Sequence, residues 1–145
     1  MIALLQRVAW AKVRVGQDTI AEIGKGLLVF LGIEEADRPD QALALMDRLH
    51  RLRIFEDEAG KMNRSVREAS GAVLVVSQFT LAADLSRGLR PSFDSAAPPD
   101  RALPIYLLAV QTLRELGVPT SCGQFGARME VSLCNDGPVT FILEG

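Results

Sequence analysis

The chain has 145 residues, of which 48% are hydrophobic and 23% charged, and its formal net charge is −2. These values predict a single domain over residues 1–145 with a hydrophobic core, and they exclude an intrinsically disordered protein. The longest apolar run, 27–33, is about a third of the ~20 residues that a membrane span needs, so no membrane partner is expected. Residues 1–10 lack the pattern of a secretory signal, which predicts a cytoplasmic location.

The first part of the chain predicts three strands. Apolar residues alternate over 2–15 with a change of phase near Ala11, which indicates a strand with a bulge. A turn at 16–18 leads to a returning strand over 19–23. The apolar run 27–33 is typical of a central strand that is buried on both faces.

A helix and a further strand are predicted next. Asp37 is a candidate N-cap for a first helix, whose apolar residues recur at helical spacing and which is expected to end near Phe55. The polar segment 56–63 predicts a loop that turns at Gly60. The β-rich segment 72–80 predicts a buried strand that ends in polar residues.

The C-terminal part predicts a second helix and two strands. The helix spans 103–116 and tolerates Pro104 only in its first turn. Strands over 129–134 and 139–143 are joined by a turn at 135–138. The whole pattern predicts an α/β fold: a mixed, largely antiparallel sheet of about six strands, with hairpins at both ends and two main helices covering it.

The sequence lacks the combinations of residues that usually support side-chain catalysis or metal binding. The only imidazole, His50, falls on the first helix, and no Gly-x-Ser-x-Gly motif is present, which argues against a serine hydrolase. Cys122 and Cys134 are expected to be reduced thiols far in sequence from His50, so no metal and no cofactor are expected.

The charge pattern leaves two interpretations open. A net charge of −2 argues against DNA as a partner, because sequence-blind binding of duplex nucleic acid relies on a positive field. One stretch is nevertheless crowded with positive residues, which form either an exposed surface or a site for phosphate. These residues are Arg48, Arg51, Arg53, Lys61, Arg64 and Arg67.

Two backbone features are candidates for function. The strand end Ser77-Gln78-Phe79-Thr80 is either an ordinary strand end or a source of free N–H groups for an oxyanion. The Gly137-Pro138 peptide is either an ordinary trans turn or a cis bond, and only the cis form orients two successive carbonyl oxygens alike.

Several separated segments resemble the D-aminoacyl-tRNA deacylase family in order and spacing. The resemblance covers nearly the whole chain and includes the opening Gln6-Arg7-Val8. Its departures from the family pattern lie in the loops Arg87–Arg90 and Cys122–Phe125, which could meet tRNA. The matching segments are Leu52–Val66, Ser77-Gln78-Phe79-Thr80-Leu81, Gly88–Phe93 and Asn135-Asp136-Gly137-Pro138-Val139-Thr140.

The resemblance implies a metal-free homodimer that hydrolyses the ester at the 3′ end of D-aminoacyl-tRNA, with its active site near the subunit interface. Ser77, Gln78, Phe79 and Thr80 would line this site, with main-chain N–H groups holding the oxyanion. Because nothing in the sequence deprotonates Thr80, water assisted by the 2′-hydroxyl of the terminal ribose is the expected nucleophile.

The resemblance also implies how the two enantiomers are told apart. Gly137 and Pro138, in cis, would enter the partner subunit's pocket and reject L-aminoacyl groups by steric clash, with Arg7 bracing them. Glycyl-tRNA, which has no side chain to clash, would also be hydrolysed. The alternatives are a non-catalytic module that binds tRNA ends and an esterase or amidase of small D-amino acid derivatives.

Overall fold

The computed structural model describes residues 1–86 and 88–145, so Arg87 in the first of the departing loops lies outside the described residues. Strands dominate the N-terminal half, and two helices interrupt the chain. In order, the elements are β1 (Ile2–Val15), β2 (Asp18–Ile23), β3 (Gly26–Gly32), α1 (Pro39–His50), β4 (Phe55–Glu56), β5 (Met62–Arg64), β6 (Ala72–Ser77), a 3₁₀ helix (Phe79–Ala82), α2 (Pro99–Glu115), β7 (Thr120–Cys122) and β8 (Glu130–Glu144).

The long strand β1 organises the main sheet, whose order is β2-β1-β3-β6-β7 with β8 also paired to β1. One edge of β1 is shared by β3, which pairs with residues 2–8, and β2, which pairs with residues 11–15. The other edge is taken by β8, which is antiparallel to β1. Only the β3–β6 and β6–β7 pairs are parallel. The predicted fold class, a mixed and largely antiparallel sheet with two helices, is confirmed.

Both faces of the central strand β3 are buried, as its continuous apolar run predicts. Leu27 and Val29 belong to the core that the sheet forms with the buried faces of α1 and α2. Leu28 lies on the opposite face, in a second apolar cluster with Val13 and Leu74. Because successive strand residues alternate between faces, β3 contributes to both cores, and it pairs along its length with the neighbouring β6.

The first helix differs from its prediction at both ends. Its N-cap is Arg38, whose backbone N–H donates to the Gln41 side chain at 2.9 Å, so the prediction of Asp37 as N-cap is wrong. Asp37 is buried instead, and it accepts hydrogen bonds from the Met1 ammonium group and the Glu34 N–H, each at 2.7 Å. The helix ends at His50, five residues before the predicted end at Phe55.

The predicted polar loop over 56–63 turns at Gly60, as expected, and the short strands β4 and β5 pair on either side of it to form a hairpin. Its turn is organised by Asp57, whose carboxylate accepts hydrogen bonds from the N–H groups of Ala59 and Lys61 at 2.9 and 3.0 Å. These bonds, led by the one from Lys61, hold the pKa of Asp57 below its usual value. Polar composition alone does not reveal that an aspartate closes this turn onto its own backbone.

The second helix and the C-terminal strand also differ from the prediction. The helix begins at Pro99, so Pro104 lies inside it and not in its first turn. The segments 129–134 and 139–143 are not two strands of a hairpin, because both belong to β8 and pair in one direction with β1. No helix within residues 1–86 and 88–145 is long and apolar enough to cross a membrane.

The buried Met1 ammonium group gives the first prediction. We expect Asp37→Asn to lower the free energy of unfolding by about 2–3 kcal/mol at pH 7, because a buried charge loses a buried partner while Glu34 still neutralises it in part. Urea denaturation measures this loss. The exposed Asp18→Asn is the matched control, with an expected change below about 0.5 kcal/mol.

The same ion pair predicts a dependence on pH. Burial lowers the pKa of the Met1 ammonium group, but its hydrogen bonds to Asp37 and Glu34 outweigh burial and raise the pKa above 8.0. Its contribution to stability is therefore complete below pH 8.0 and is lost as the pH rises through the raised value. Asp37→Asn should lose less stability than the wild type between neutral and alkaline pH, and equal losses would contradict this account.

Candidate active site

The segment that follows β6 carries two main-chain N–H groups without an acceptor. The N–H of Gln78 donates to a carbonyl oxygen of β3 at 2.9 Å, and the N–H of Leu81 donates to the Gln78 oxygen at 3.3 Å. Between them, the N–H groups of Phe79 and Thr80 have no acceptor among the described residues. Amides held in fixed positions in this way are suited to stabilising a developing oxyanion.

Gly32 at the end of β3 allows this segment to lie against the sheet. A Cβ atom at Gly32 would be 2.9 Å from the Leu81 Cβ and 3.0 Å from the Gln78 oxygen. Any larger residue would therefore push the segment outward and move its amides. Gly32 was not among the predicted site residues, because its role depends on a contact between the end of β3 and the segment after β6, which no local pattern in the sequence records.

An apolar cavity of about 420 Å³ adjoins the segment. Phe79, whose side chain is 56% exposed, contacts Phe93 edge to face, with 5.0 Å between ring centroids. This volume and the aromatic surface suit a flat heterocycle of nucleoside size. The lining residues are Leu31, Ile33, Ser77, Gln78, Phe79, Phe93, Ala96, Ala97, Pro99, Ala102, Phe125 and Gly126.

No side chain that could act as a general base lines the cavity among the described residues. The Thr80 hydroxyl accepts a hydrogen bond from the Gln78 side-chain amide, which cannot take up its proton. His50 lines a separate groove that shares no residue with the cavity. The geometry therefore offers Thr80 no activation as a nucleophile.

Arg7 on β1 is the most constrained of the candidate side chains. It is only 5% exposed, and its guanidinium group donates to the carbonyl oxygens of Ile54 at 2.9 Å and Asp136 at 3.1 Å. The carboxylates of Asp136 and Glu56 lie 3.4 and 3.7 Å from it. This one side chain therefore ties the start of the β4–β5 hairpin to the segment around Gly137.

The segment containing Gly137 and Pro138 loops out of β8 directly opposite Arg7. In the β1–β8 ladder, Gln6 pairs with Thr140, and the next pair is Val8 with Asn135. Two steps along β1 thus match five along β8, which places 136–139 outside the ladder. The sequence prediction of a turn at this point is right locally, but the strand continues afterwards along the same partner.

Hydrogen bonds and close packing fix the shape of this loop. Asn135 closes it, since its side chain accepts from the Val139 N–H at 2.9 Å and donates to the Thr140 hydroxyl at 3.0 Å. Gly137 has a φ of 137°, and a Cβ there would be 2.6 Å from a Val139 methyl and 3.2 Å from the Arg7 guanidinium. The Gly137–Pro138 peptide is cis, as the resemblance implies.

Within one chain, the structure forms two groups of the predicted site residues. Ser77, Gln78 and Phe79 line the apolar cavity, and Thr80 follows them. Arg7 contacts the loop that carries Gly137 and Pro138. No residue of 135–140 lines the cavity, so the two groups share no pocket within the described chain.

Two aromatic residues of the cavity were not named as site residues in the sequence analysis. Phe93 ends a segment that was quoted only for its resemblance, and Phe125 lies in one of the two departing loops. Phe125 also packs against Tyr106 of α2, with 5.6 Å between ring centroids. Both positions could have been suspected from their motifs, but their convergence on one cavity depends on the fold.

The family model and the related sequences agree with one another. Residues 4–144 match the family model described as D-Tyr-tRNA(Tyr) deacylase. The D-aminoacyl-tRNA deacylase of Geobacter sulfurreducens is 54% identical over 144 residues, which cover 99% of this chain and 95% of the relative. The D-aminoacyl-tRNA deacylase of Cronobacter sakazakii is 55% identical over 144 residues, with 99% of each chain covered.

Two solved structures have a similar fold. The c-Myc DNA Unwinding Element Binding Protein superposes with a TM-score of 0.95 at 40% identity, covering 100% of this chain and 99% of that chain. A probable eukaryotic D-amino acid tRNA deacylase superposes with a TM-score of 0.84 at 16% identity, covering 98% of this chain and 97% of that chain. At 16% identity, the second likeness concerns the fold alone.

The packing of Gly137 against Arg7 and Val139 predicts a large cost for a side chain at this position. We expect Gly137→Ala to lower the free energy of unfolding by about 3 kcal/mol, because backbone strain and a steric clash act together. Gly60→Ala is the matched control, since Gly60 also has a positive φ, 70°, but has no atom within 4 Å of the added Cβ. Its expected cost is about 1 kcal/mol.

Urea denaturation of the two variants and the wild type measures this difference. Equal losses for Gly137→Ala and Gly60→Ala would mean that the loop yields freely, and would contradict a rigid loop held against Arg7.

Proposed function

The chain belongs to the D-Tyr-tRNA(Tyr) deacylase family, and on that premise we propose that it hydrolyses the ester between a D-amino acid and the terminal adenosine of tRNA. The products are free tRNA and the D-amino acid, so the reaction is a proofreading step by handedness in the cytoplasm. The observation that carries the proposal is the pair of free amides at Phe79 and Thr80 beside an apolar cavity whose described lining has no ionisable side chain.

The free amides would stabilise the transition state of ester hydrolysis. Attack on the ester carbon places a negative charge on the carbonyl oxygen, which the N–H groups of Phe79 and Thr80 are free to accept. Because these groups are held by the buried strand β6 and by the contact with Gly32, they need little reorganisation during the reaction. Main-chain N–H groups do not titrate in the ordinary pH range, so their stabilisation of the oxyanion does not depend on pH.

Water is the proposed nucleophile, with the 2′-hydroxyl of the terminal ribose assisting it. This assignment is supported by the surroundings of Thr80, whose hydroxyl accepts a hydrogen bond from the neutral amide of Gln78 and has no hydrogen bond to an ionisable side chain among the described residues. An unactivated threonine hydroxyl is a weak nucleophile, whereas the substrate's own hydroxyl group lies next to the ester. In this mechanism Thr80 positions the substrate or the water and contributes its main-chain N–H.

The apolar cavity is the proposed site for the terminal adenosine. Its volume of about 420 Å³ and its aromatic residues Phe79, Phe93 and Phe125 suit stacking of an adenine base, which contributes about 1–3 kcal/mol per base. A base held there would contact Ser77 and Gln78, the residues that directly precede the free amides of Phe79 and Thr80, where the ester would have to lie.

The loop 136–139 is the proposed chirality filter. It lies outside the strand ladder, and it is held by Arg7 and Asn135 on either side of Gly137. Its main-chain carbonyl oxygens can accept hydrogen bonds from the α-ammonium group of the substrate when the substrate's side chain points away. An L side chain would instead collide with the backbone, so selection rests on rejecting the wrong enantiomer.

A homodimer would bring the filter and the cavity together. The loop 136–139 does not line the cavity of its own chain, which supports insertion into the pocket of a second copy. Strand β8 also exposes Phe141 by 41% and Ile142 by 62%, apolar side chains on its two opposite faces that a second copy could cover. Sedimentation equilibrium tests this assembly, and a mass of one chain at working concentration would contradict it.

The central experiment measures the rate at which the ester is lost from tRNA charged with D-tyrosine, L-tyrosine or glycine. Each substrate is incubated with protein that has been treated with a chelator. We expect D-tyrosyl-tRNA to be hydrolysed at least about 100-fold faster than L-tyrosyl-tRNA, because the L side chain clashes with the filter. Glycyl-tRNA should be hydrolysed measurably because it has no side chain to reject. Ala96→Trp, which fills the cavity, is the control against a contaminating esterase.

Each alternative function has its own outcome in this assay. Hydrolysis of both enantiomers at equal rates would eliminate the filter. Hydrolysis of neither would leave a module that only binds tRNA ends. Turnover of D-tyrosine methyl ester as fast as D-tyrosyl-tRNA would indicate a general esterase of small D-amino acid derivatives.

A second prediction tests the nucleophile. D-tyrosyl-tRNA with a 2′-deoxy terminal adenosine should react at least about 100-fold more slowly, because the assisting hydroxyl is missing. Thr80→Val should lower the activity by no more than about tenfold, because its main-chain N–H remains. Thr80→Ser should lower the activity to a similar extent or less. An unchanged rate on the deoxy substrate together with an inactive Thr80→Val would replace this mechanism with covalent catalysis by Thr80.

A further inference from the structure

A second groove, of about 550 Å³, lies on the surface between the end of α1 and the segment after β5. It shares no residue with the apolar cavity, and its function is not explained by the chemistry described above. We call it the basic groove, and its lining residues are His50, Arg51, Arg53, Ser65, Arg67 and Glu68.

The basic groove carries a local excess of positive charge. Arg51 pairs with Asp47, but neither Arg53 nor Arg67 has a carboxylate partner among residues 1–86 and 88–145. The Nε of Arg53 donates to the Asn63 carbonyl oxygen at 2.9 Å, which holds its exposed side chain in place. A positive patch of this kind on a chain of net charge −2 marks a place where an anionic partner is attracted.

The one carboxylate that lines the groove is already engaged. Glu68 accepts hydrogen bonds from the Ser65 N–H at 2.7 Å and the Ser65 hydroxyl at 2.8 Å. These two bonds, with the nearby charges of Arg53 and Arg64, lower the pKa of Glu68. Glu68 thus fixes the loop that begins at Ser65, while the three guanidinium groups of the groove outnumber it.

The groove adjoins the loop that we propose as the chirality filter. Arg53 immediately precedes Ile54, whose carbonyl oxygen accepts a hydrogen bond from Arg7 at 2.9 Å. The same guanidinium group donates to the Asp136 carbonyl oxygen at 3.1 Å. The basic groove and the filter loop are therefore connected through Arg53, its neighbour Ile54 and the single side chain of Arg7.

From this arrangement, we propose that the basic groove binds backbone phosphates of the tRNA stem that carries the 3′ end, through Arg53 and Arg67. One guanidinium group can donate two parallel hydrogen bonds to the oxygens of one phosphate. An open groove also leaves room for the continuous sugar–phosphate backbone of the tRNA. The contact is to the backbone and not to bases, so it holds tRNAs of different sequence. This inference rests on the proposed function, in which tRNA is the substrate.

The first test measures binding of uncharged tRNA by fluorescence anisotropy, which requires no catalysis. We expect Arg53→Gln/Arg67→Gln to weaken binding about tenfold or more, and to make the slope of log affinity against log salt shallower by about two. Arg14→Gln/Arg38→Gln is the matched control, because it removes the same charge from exposed arginines outside the groove. The control should change affinity less than about twofold.

The second test separates the groove from the active site. On D-tyrosyl-tRNA, the groove variant should lose kcat/KM about tenfold, mainly through KM. On D-tyrosyl-adenosine, which has the same ester but no further phosphates, it should match the wild type within about twofold. Arg53→Lys/Arg67→Lys should recover part of the loss, because a phosphate also binds a lysine as a point charge.

The outcomes distinguish failure of the groove from failure of the proposed function. Arginine-dependent binding of tRNA by a protein that hydrolyses nothing would support the groove and reject the hydrolase. Unchanged tRNA binding in the groove variant would overturn the inference, even if its thermal stability falls, since a purely structural role predicts that result. An equal loss of tRNA binding in Arg14→Gln/Arg38→Gln would also overturn the inference, because it would show that only the total charge of the chain matters.

Discussion

The buried guanidinium group of Arg7 is the interaction on which the arrangement of this protein depends. A charge that is 5% exposed is stable only with its hydrogen bonds satisfied, and Arg7 satisfies them with main-chain oxygens of Ile54 and Asp136. The extra residues of β8 therefore project from the sheet in one fixed position. The filter loop and the segment that leads to the basic groove are held by the same side chain.

The proposed chemistry uses main-chain groups, and this explains several otherwise unrelated features. Amides and carbonyls cannot be moved by choosing another rotamer, so their position is set by the strands that carry them. Buried β6 and the missing side chain at Gly32 fix the amides near Thr80, while Asn135 and the missing side chain at Gly137 fix the filter loop. Charged side chains are consequently absent from the described lining of the cavity and concentrate where a phosphate backbone would pass.

Local patterns in the sequence were sufficient for most of the secondary structure. The alternation over β1, the turn at 16–18 and the apolar run of β3 were all confirmed, because each depends on a periodicity or a turn that neighbouring residues encode. The backbone candidates Ser77-Gln78-Phe79-Thr80 and Gly137-Pro138 were also visible as motifs. Asp37 was wrongly assigned as the N-cap, because its ion pair with Met1 involves a partner outside the local pattern. The loop at Gly60 was predicted, but the pairing of the short strands on either side of it was not.

Tertiary structure alone decided how the separated motifs combine. It joined the two halves of β8 into one strand along β1, which turned a predicted hairpin turn into a loop braced by Arg7. It also brought Phe93 and Phe125 to the cavity beside Phe79. Sequence periodicity reports which face of an element is apolar, whereas the pairing of distant strands follows from the summed packing of the whole core.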